Sequence, residues 1–179
     1  YVMTGGSPVR VMSKEWQFIG AGYIGSIPTP VIILIFIVLL SWFIMNRTKL
    51  GRHMYAVGDN PQAALYSGIN IKKVKFLIHV YSGLMAALAG IVLASRMYSA
   101  QPTAGDGAEM DAIAATVVGG TSMSGGYGRI SGTVIGALII GVLNNGLNLL
   151  GVNSFWQYVV KGFVILLAVY ADYLRTRKA

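Results

Sequence analysis

Asp111-Ala112-Ile113-Ala114-Ala115-Thr116-Val117-Val118-Gly119-Gly120-Thr121-Ser122-Met123-Ser124-Gly125-Gly126-Tyr127-Gly128-Arg129 is the stretch whose reading decides the fold. Its first part reads as a short helix over 112–120 that Asp111 can cap. Its second part is a glycine-rich run, too polar and too flexible to continue an apolar helix. On either side lie four runs long and apolar enough to cross a hydrocarbon core of about 30 Å at about 1.5 Å per helical residue. They are Ile27 to Met45, Phe76 to about Ser95, Ile130 to Leu150, and Phe155 to Leu174.

Whether 111–129 crosses the bilayer is settled by parity. If 97–129 were only an outer loop, the third span would run inward, the fourth outward, and the basic tail Arg175, Arg177 and Lys178 would face outside. If the short helix and the glycine run instead descend to the inner face, Arg129 and the tail join Arg47, Lys49, Arg52, Lys72, Lys73 and Lys75 inside. That arrangement puts ten of the fourteen Lys and Arg on the cytoplasmic side, as the positive-inside rule favours. The expectation is therefore an all-α polytopic membrane protein, a helical bundle with four long spans and one short, partly extended broken crossing at 112–129. Such a crossing is tolerated where protein or a wet cavity satisfies its backbone. Residues 1–27 read as an outer loop, 46–75 as a cytoplasmic loop, and 97–129 as an outer loop followed by the broken crossing. The chain opens at Tyr1 without an initiator Met or signal-peptide pattern, so it is expected to begin mid-protein.

Composition agrees with lipid as the solvent: 55% of the 179 residues are hydrophobic and 11% charged. The net charge of +8 sits at the ends of apolar runs rather than in a basic stripe interleaved with aromatics, which argues against nucleic acid as a partner. The absence of Cys excludes disulfides, thiolate metal sites and Cys nucleophiles. His53 and His79 have no carboxylate or second His at ligand spacing, so no metal site is expected. No Ser-His-acid grouping suggests an enzyme. Gly20-Ala21-Gly22-Tyr23-Ile24-Gly25 has the dinucleotide spacing but leads through Pro28 and Pro30 into a membrane span, so no nucleotide cofactor is inferred. No P-loop occurs either, so energy for pumping must come from a partner or an ion gradient.

Several polar groups interrupt the spans. Asn144, Asn145 and Asn148 bring amides into the third, with Asn144 and Asn148 on one face. They are either hydrogen-bonding glue between helices or the lining of a path for a neutral solute. Lys161 either snorkels to the interface or is buried for function. Gly83, Ala86, Ala87 and Gly90 in the second span, and Gly132-x-x-x-Gly136 and Ala137-x-x-x-Gly141 in the third, signal close helix approach. Gln101, Thr103 and Glu109 lie where an outer partner could dock, unless 101–105 is simply a turn.

A set of ordered blocks carries a resemblance over nearly the whole chain, most strongly from Thr48 to Asp172. They include Gly51-Arg52-His53-Met54-Tyr55-Ala56-Val57-Gly58, Ser67-Gly68-Ile69-Asn70, Ser99-Ala100-Gln101-Pro102-Thr103-Ala104-Gly105, Glu109-Met110-Asp111-Ala112-Ile113-Ala114-Ala115, Gly119-Gly120-Thr121-Ser122, and Leu143-Asn144-Asn145-Gly146-Leu147-Asn148-Leu149-Leu150-Gly151-Val152. The pattern resembles the permeases of the ribose and galactose class of ABC importers, here the C-terminal half. The resemblance implies a bacterial inner-membrane subunit that pairs with a second permease copy, sits on cytoplasmic ATPase subunits and receives sugar from a periplasmic binding protein. It also implies that Gln62-Ala63-Ala64-Leu65-Tyr66-Ser67-Gly68 is the loop whose short helix seats in the ATPase, with Gln62 where the family pattern has Glu. Gln62, Ala63, Ala64 and Gly68 are the coupling residues on this reading, and Gly68 lets the chain turn away sharply. Two rivals remain: a secondary transporter or channel whose central site is the broken segment around Gly119, Gly120, Thr121, Ser122, Gly125 and Gly126, or a scaffold that only anchors a complex.

Overall fold

The computed structural model describes residues 5–10 and 13–176. Tyr1 and the tail residues Arg177 and Lys178 lie outside them. The regular structure of the described residues is helical apart from four two-residue strands, β1 (Val9–Arg10), β2 (Tyr23–Ile24), β3 (Ile27–Pro28) and β4 (Ser99–Ala100). Four helices are long and apolar enough to cross a membrane: α2 (Thr29–Arg47), α5 (Ile71–Arg96), α7 (Ile130–Leu149) and α8 (Ser154–Thr176). The all-α, polytopic reading therefore holds.

The chain divides into two compact units, one of residues 1–47 with 72–106, the other of 48–71 with 107–179. In the first, α1 (Lys14–Ala21) occupies part of the stretch expected to be loop. The glycines that suggested a loop have other roles. Gly22 ends the helix, and Gly20 lets it press on the end of α5, where a Cβ would lie 2.7 Å from the Val92 carbonyl oxygen. The fully buried Ser95 hydroxyl fastens the crossing, accepting from the Gly20 N–H at 2.7 Å and donating to the Trp16 carbonyl. β1 and β4 pair antiparallel, as do β2 and β3. Helix α5 starts five residues before the apolar run because Lys72, Lys73 and Lys75 are good helix formers, so charge ends the apolar span without ending the helix. It is linked to α2 by the Ser41–Tyr81 hydroxyl pair beside an apolar groove of about 470 Å³.

In the second unit α3 (Lys49–Asp59) is capped by Thr48, whose hydroxyl accepts from the Gly51 N–H. Asn60 ends α3 and also begins α4 (Pro61–Tyr66): its side chain accepts from the Gln62 and Ala63 N–H groups. Pro61 suits the first helical position, where no N–H is needed. Helix α6 (Ala108–Val118) packs against α7 and α8 around Ala114, Ala115 and Ile140. It begins one turn earlier than expected, with Gly107 rather than Asp111 at its cap, so the Asp111 side chain is free to reach across the bundle.

The α6–α7 contact is backbone against backbone. A Cβ on Gly136 would overlap the Ala115 carbonyl, and one on Gly132 the Gly119 carbonyl, so 115 meets 136 and 119 meets 132 in antiparallel order. Only glycine permits that approach. The second close-packing signal is different: Gly141 meets nothing within 4 Å, and neither do Gly83 and Gly90 in α5. At 11 residues α6 is about 16 Å long, roughly half a bilayer core.

The glycine run after α6 is not extended. It folds on itself, with the Ser122 N–H donating to the Tyr127 carbonyl, the Gly125 N–H to the Ser122 carbonyl, and the Ser124 N–H to the Ser122 hydroxyl. The partly extended form expected of this run is thereby corrected to a closed turn. A turn that satisfies its own polar groups is cheaper in an apolar setting than an extended segment with open N–H and C=O groups.

Candidate functional site

The second unit contains two polar centres. The first lies where the start of α6 meets the later part of α7 and the early part of α8. Lys161 Nζ is 2.7 Å from Asp111 Oδ1, and Asn144 Nδ2 donates to Asp111 Oδ2 at 3.0 Å, so one carboxylate joins three helices. The Lys161 side chain is 12% exposed, and its ammonium also lies 5.7 Å from the Tyr158 ring centre. Lys161 therefore does not have the solvated or lipid-facing end expected from its position. Once the Asp111 carboxylate is within the bundle, pairing is far cheaper than leaving either charge alone in an apolar setting.

Asn144 Oδ1 is buried with no donor. Its amide is oriented by chemistry, since the reverse orientation would point Oδ1 at the carboxylate. Asn148, on the same α7 face, accepts from Gln157 Nε2 at 2.9 Å and stays exposed, as does Asn145. Thus Asn144 and Asn148 both bond across helices, while Asn145 is exposed. Gln157 and Tyr158 escaped the sequence reading because neither carries charge, and only the position of Lys161 on α8 could have drawn attention to that face.

The second centre surrounds the glycine turn. An open cleft of about 810 Å³ is lined by Tyr55, Asp59, Ser122, Ser124, Tyr127 and Asp172, among others. Tyr55 of α3 donates its hydroxyl to the Gly128 carbonyl at 2.9 Å, and Ser122 donates to Asp172 of α8 at 3.1 Å. Gly119 and Gly120 close α6, Gly120 N–H bonds to the Val117 carbonyl, and Thr121 N–H to that of Thr116. Tyr55, Asp59 and Asp172 were not singled out in sequence. The available signal was Asp172, an isolated acid in the apolar run of α8.

The loop expected to couple forms α4 and the turn after it. Gly68 takes φ +79° there, and the Gly68 and Ile69 N–H groups bond to the Leu65 and Ala64 carbonyls. Ala64 is 4% exposed and packs inward, so the outward face carries Gln62, Ala63, Leu65 and Tyr66, the last 89% exposed. Gln101, Thr103 and Glu109 are all exposed, but the first two belong to one unit and Glu109 to the other. Among the described residues no three His, Cys, Asp or Glu side chains come together to hold a metal.

Comparison with known proteins gives consistent matches along the chain. The family described as "Branched-chain amino acid transport system / permease component" matches residues 3–169. The ribose import permease protein of Bacillus subtilis (strain 168) is 54% identical over 173 residues, covering 96% of this chain and 54% of that protein. Its counterpart in Escherichia coli (strain K12) is 53% identical over 175 residues, with the same coverage. The xylose transport system permease protein of Escherichia coli (strain K12) is 46% identical over 153 residues, covering 86% of this chain and 39% of that protein. The chain thus spans about half the length of the ribose relatives. No solved structure matches it.

Proposed function

The chain belongs to the branched-chain amino acid transport system permease component family, and from that premise we propose that it is the C-terminal part of the transmembrane subunit of an ATP-driven importer of a pentose-like sugar. It is an all-α, multi-pass membrane chain. The observation that carries the sugar assignment is identity of 53–54% to ribose import permeases along 96% of its length. The family's description alone would suggest an amino acid.

In this reading the subunit sits in a bacterial inner membrane, pairs with a second copy, and takes sugar from a periplasmic binding protein, with Gln101 and Thr103 of one unit and Glu109 of the other as the candidate docking residues. Cytoplasmic ATPase subunits receive the outward face of α4, with Gln62 and Ala63 at the contact, Ala64 packing the helix in place and Gly68 turning the chain away. The half-span α6 and the turn through Thr121, Ser122, Gly125 and Gly126 form the broken crossing. Asn144, Asn145 and Asn148 lie on the helix facing the pathway, where amides suit a neutral polyol. The subunit itself hydrolyses nothing.

Uptake of radiolabelled ribose, xylose and galactose by cells with and without the intact gene tests the reading. Uptake should fall with loss of the gene and equally with loss of the companion ATPase. The Asp111–Lys161 pair favours one alternative, an ion-coupled carrier, because it places an acid within the helical bundle. Uptake that persists without the ATPase would establish that alternative.

A further inference from the structure

The loop assigned to the ATPase contact is followed in sequence by the long span α5, the obvious route for any displacement at α4. The contacts run elsewhere. Residues 48–71 cluster with 107–179, although 72–106 intervene. The joint between α3 and the glycine turn is unusually close: a Cβ on Gly58 would lie 2.9 Å from the Gly126 nitrogen, and one on Gly126 would lie 2.8 Å from both Cβ and Oδ1 of Asp59. A Cβ on Gly125 would overlap the Gly58 carbonyl. Gly125 and Gly126 hold φ of +95° and +73°, values that L side chains rarely adopt. Tyr55, one turn back along α3, adds the hydrogen bond to the Gly128 carbonyl. On the far side of the turn Ser122 is tied to Asp172 of α8, and Gly119 to the start of α7.

We infer that Tyr55, Gly58, Gly125 and Gly126 form a clasp that passes displacement of the α3–α4 loop sideways to the end of the half-span α6. The inference rests on the coupling-loop assignment made above. These are positioning residues that act through α6 and touch no substrate. Two packed backbones with a hydrogen bond across them transmit a push because close-packed contacts have two discrete arrangements and little compliance between them. The clasp makes α3, α4 and the glycine turn one body, so the break in the crossing is where motion from the ATPase arrives.

The test uses the full-length permease assembled with its ATPase and binding protein in proteoliposomes, with any cysteine elsewhere removed. Gln62→Cys is first cross-linked to the ATPase. Failure of that cross-link in otherwise unaltered protein overturns the coupling-loop assignment, and the clasp with it. Gly58→Ala is the main variant: alanine favours helix, so its only penalty is the contact with Gly126. With the Gln62→Cys cross-link retained, sugar moved per ATP hydrolysed should fall at least about fivefold in Gly58→Ala. Tyr55→Phe, which removes only the hydroxyl, should give a smaller fall in the same ratio. Joining Tyr55→Cys to Gly128→Cys with a short bifunctional thiol reagent should raise the ratio above that of the same double variant before joining, because the two sides then move together. An unchanged ratio in Gly58→Ala with the cross-link present overturns the clasp and leaves the coupling-loop assignment standing, as does loss of transport on joining 55 to 128.

Discussion

Helices α2 and α5 in one unit and α6, α7 and α8 in the other are similarly apolar, yet they are held in different ways. Thr29 is the buried residue of α2, and Val74 and Ser95 are those of α5. The pair is joined through Ser41 and Tyr81, and its small residues Gly83 and Gly90 meet nothing within 4 Å among the described residues. In the other unit, glycines bring α6 and α7 into backbone contact, and a carboxylate is shared by an ammonium and an amide. Lipid cannot drive apolar helices together, because its tails are as apolar as leucine. A membrane bundle is specified instead by shape at small residues and by polar groups with nowhere else to go; α6, α7 and α8 have both, whereas α2 and α5 are joined to each other by the polar pair alone.

The sharpest way to break this contrast is Gly136→Val. Its side chain has the Ala115 carbonyl in its way, so the variant should yield no monodisperse folded protein in detergent, whereas Gly83→Val in α5 should be recovered normally. Next comes Lys161→Met, which leaves Asp111 unpaired. A full loss would be about 3–5 kcal/mol for a buried pair, and we expect about 2–3 kcal/mol in chemical unfolding because Asp111 keeps 32% of its side chain exposed. Asp111→Asn combined with Lys161→Met should recover most of that loss; if it does not, the pair is not what holds the helices. Asn144→Leu removes a charge-assisted bond and should lower stability by about 1.5 kcal/mol. Ser41→Ala should have the smallest effect, about 0.6 kcal/mol, the mean of interhelical hydrogen bonds in membranes. A larger loss there would mean that the first unit is more tightly specified than its contacts indicate.

The long helices were legible because a run of 19 or more apolar residues has one stable form in lipid. So was a short helix before the glycine run, since such a run must end it. What could not be read was pairing. Gly132 and Gly136 have the same spacing signature as Gly83 and its neighbours, yet among the described residues Gly132 and Gly136 meet another helix and Gly83 and Gly90 do not. Lys161 and Asp111 are separated by 50 positions, and a lysine near a span end reads as a snorkelling residue until the carboxylate facing it is known. The helix at 14–21 was missed because glycines that allow close approach look, in one dimension, like glycines that allow disorder. The partly extended form expected of the glycine run failed for a related reason: composition reveals that a backbone can turn, and hydrogen bonding decides how tightly.

Asn60 is the last residue of one helix's cap and the first of the next, with nothing between. This joint has no spare residue in which to absorb a change of length. An insertion of one amino acid on the α4 side would rotate the following helix by about 100°, carrying Ala64 from its internal seat towards solvent and swinging Tyr66 to another quarter of the surface. Length at this elbow is therefore under tighter constraint than side-chain identity, and substitutions there should prove far more forgiving than any insertion or deletion.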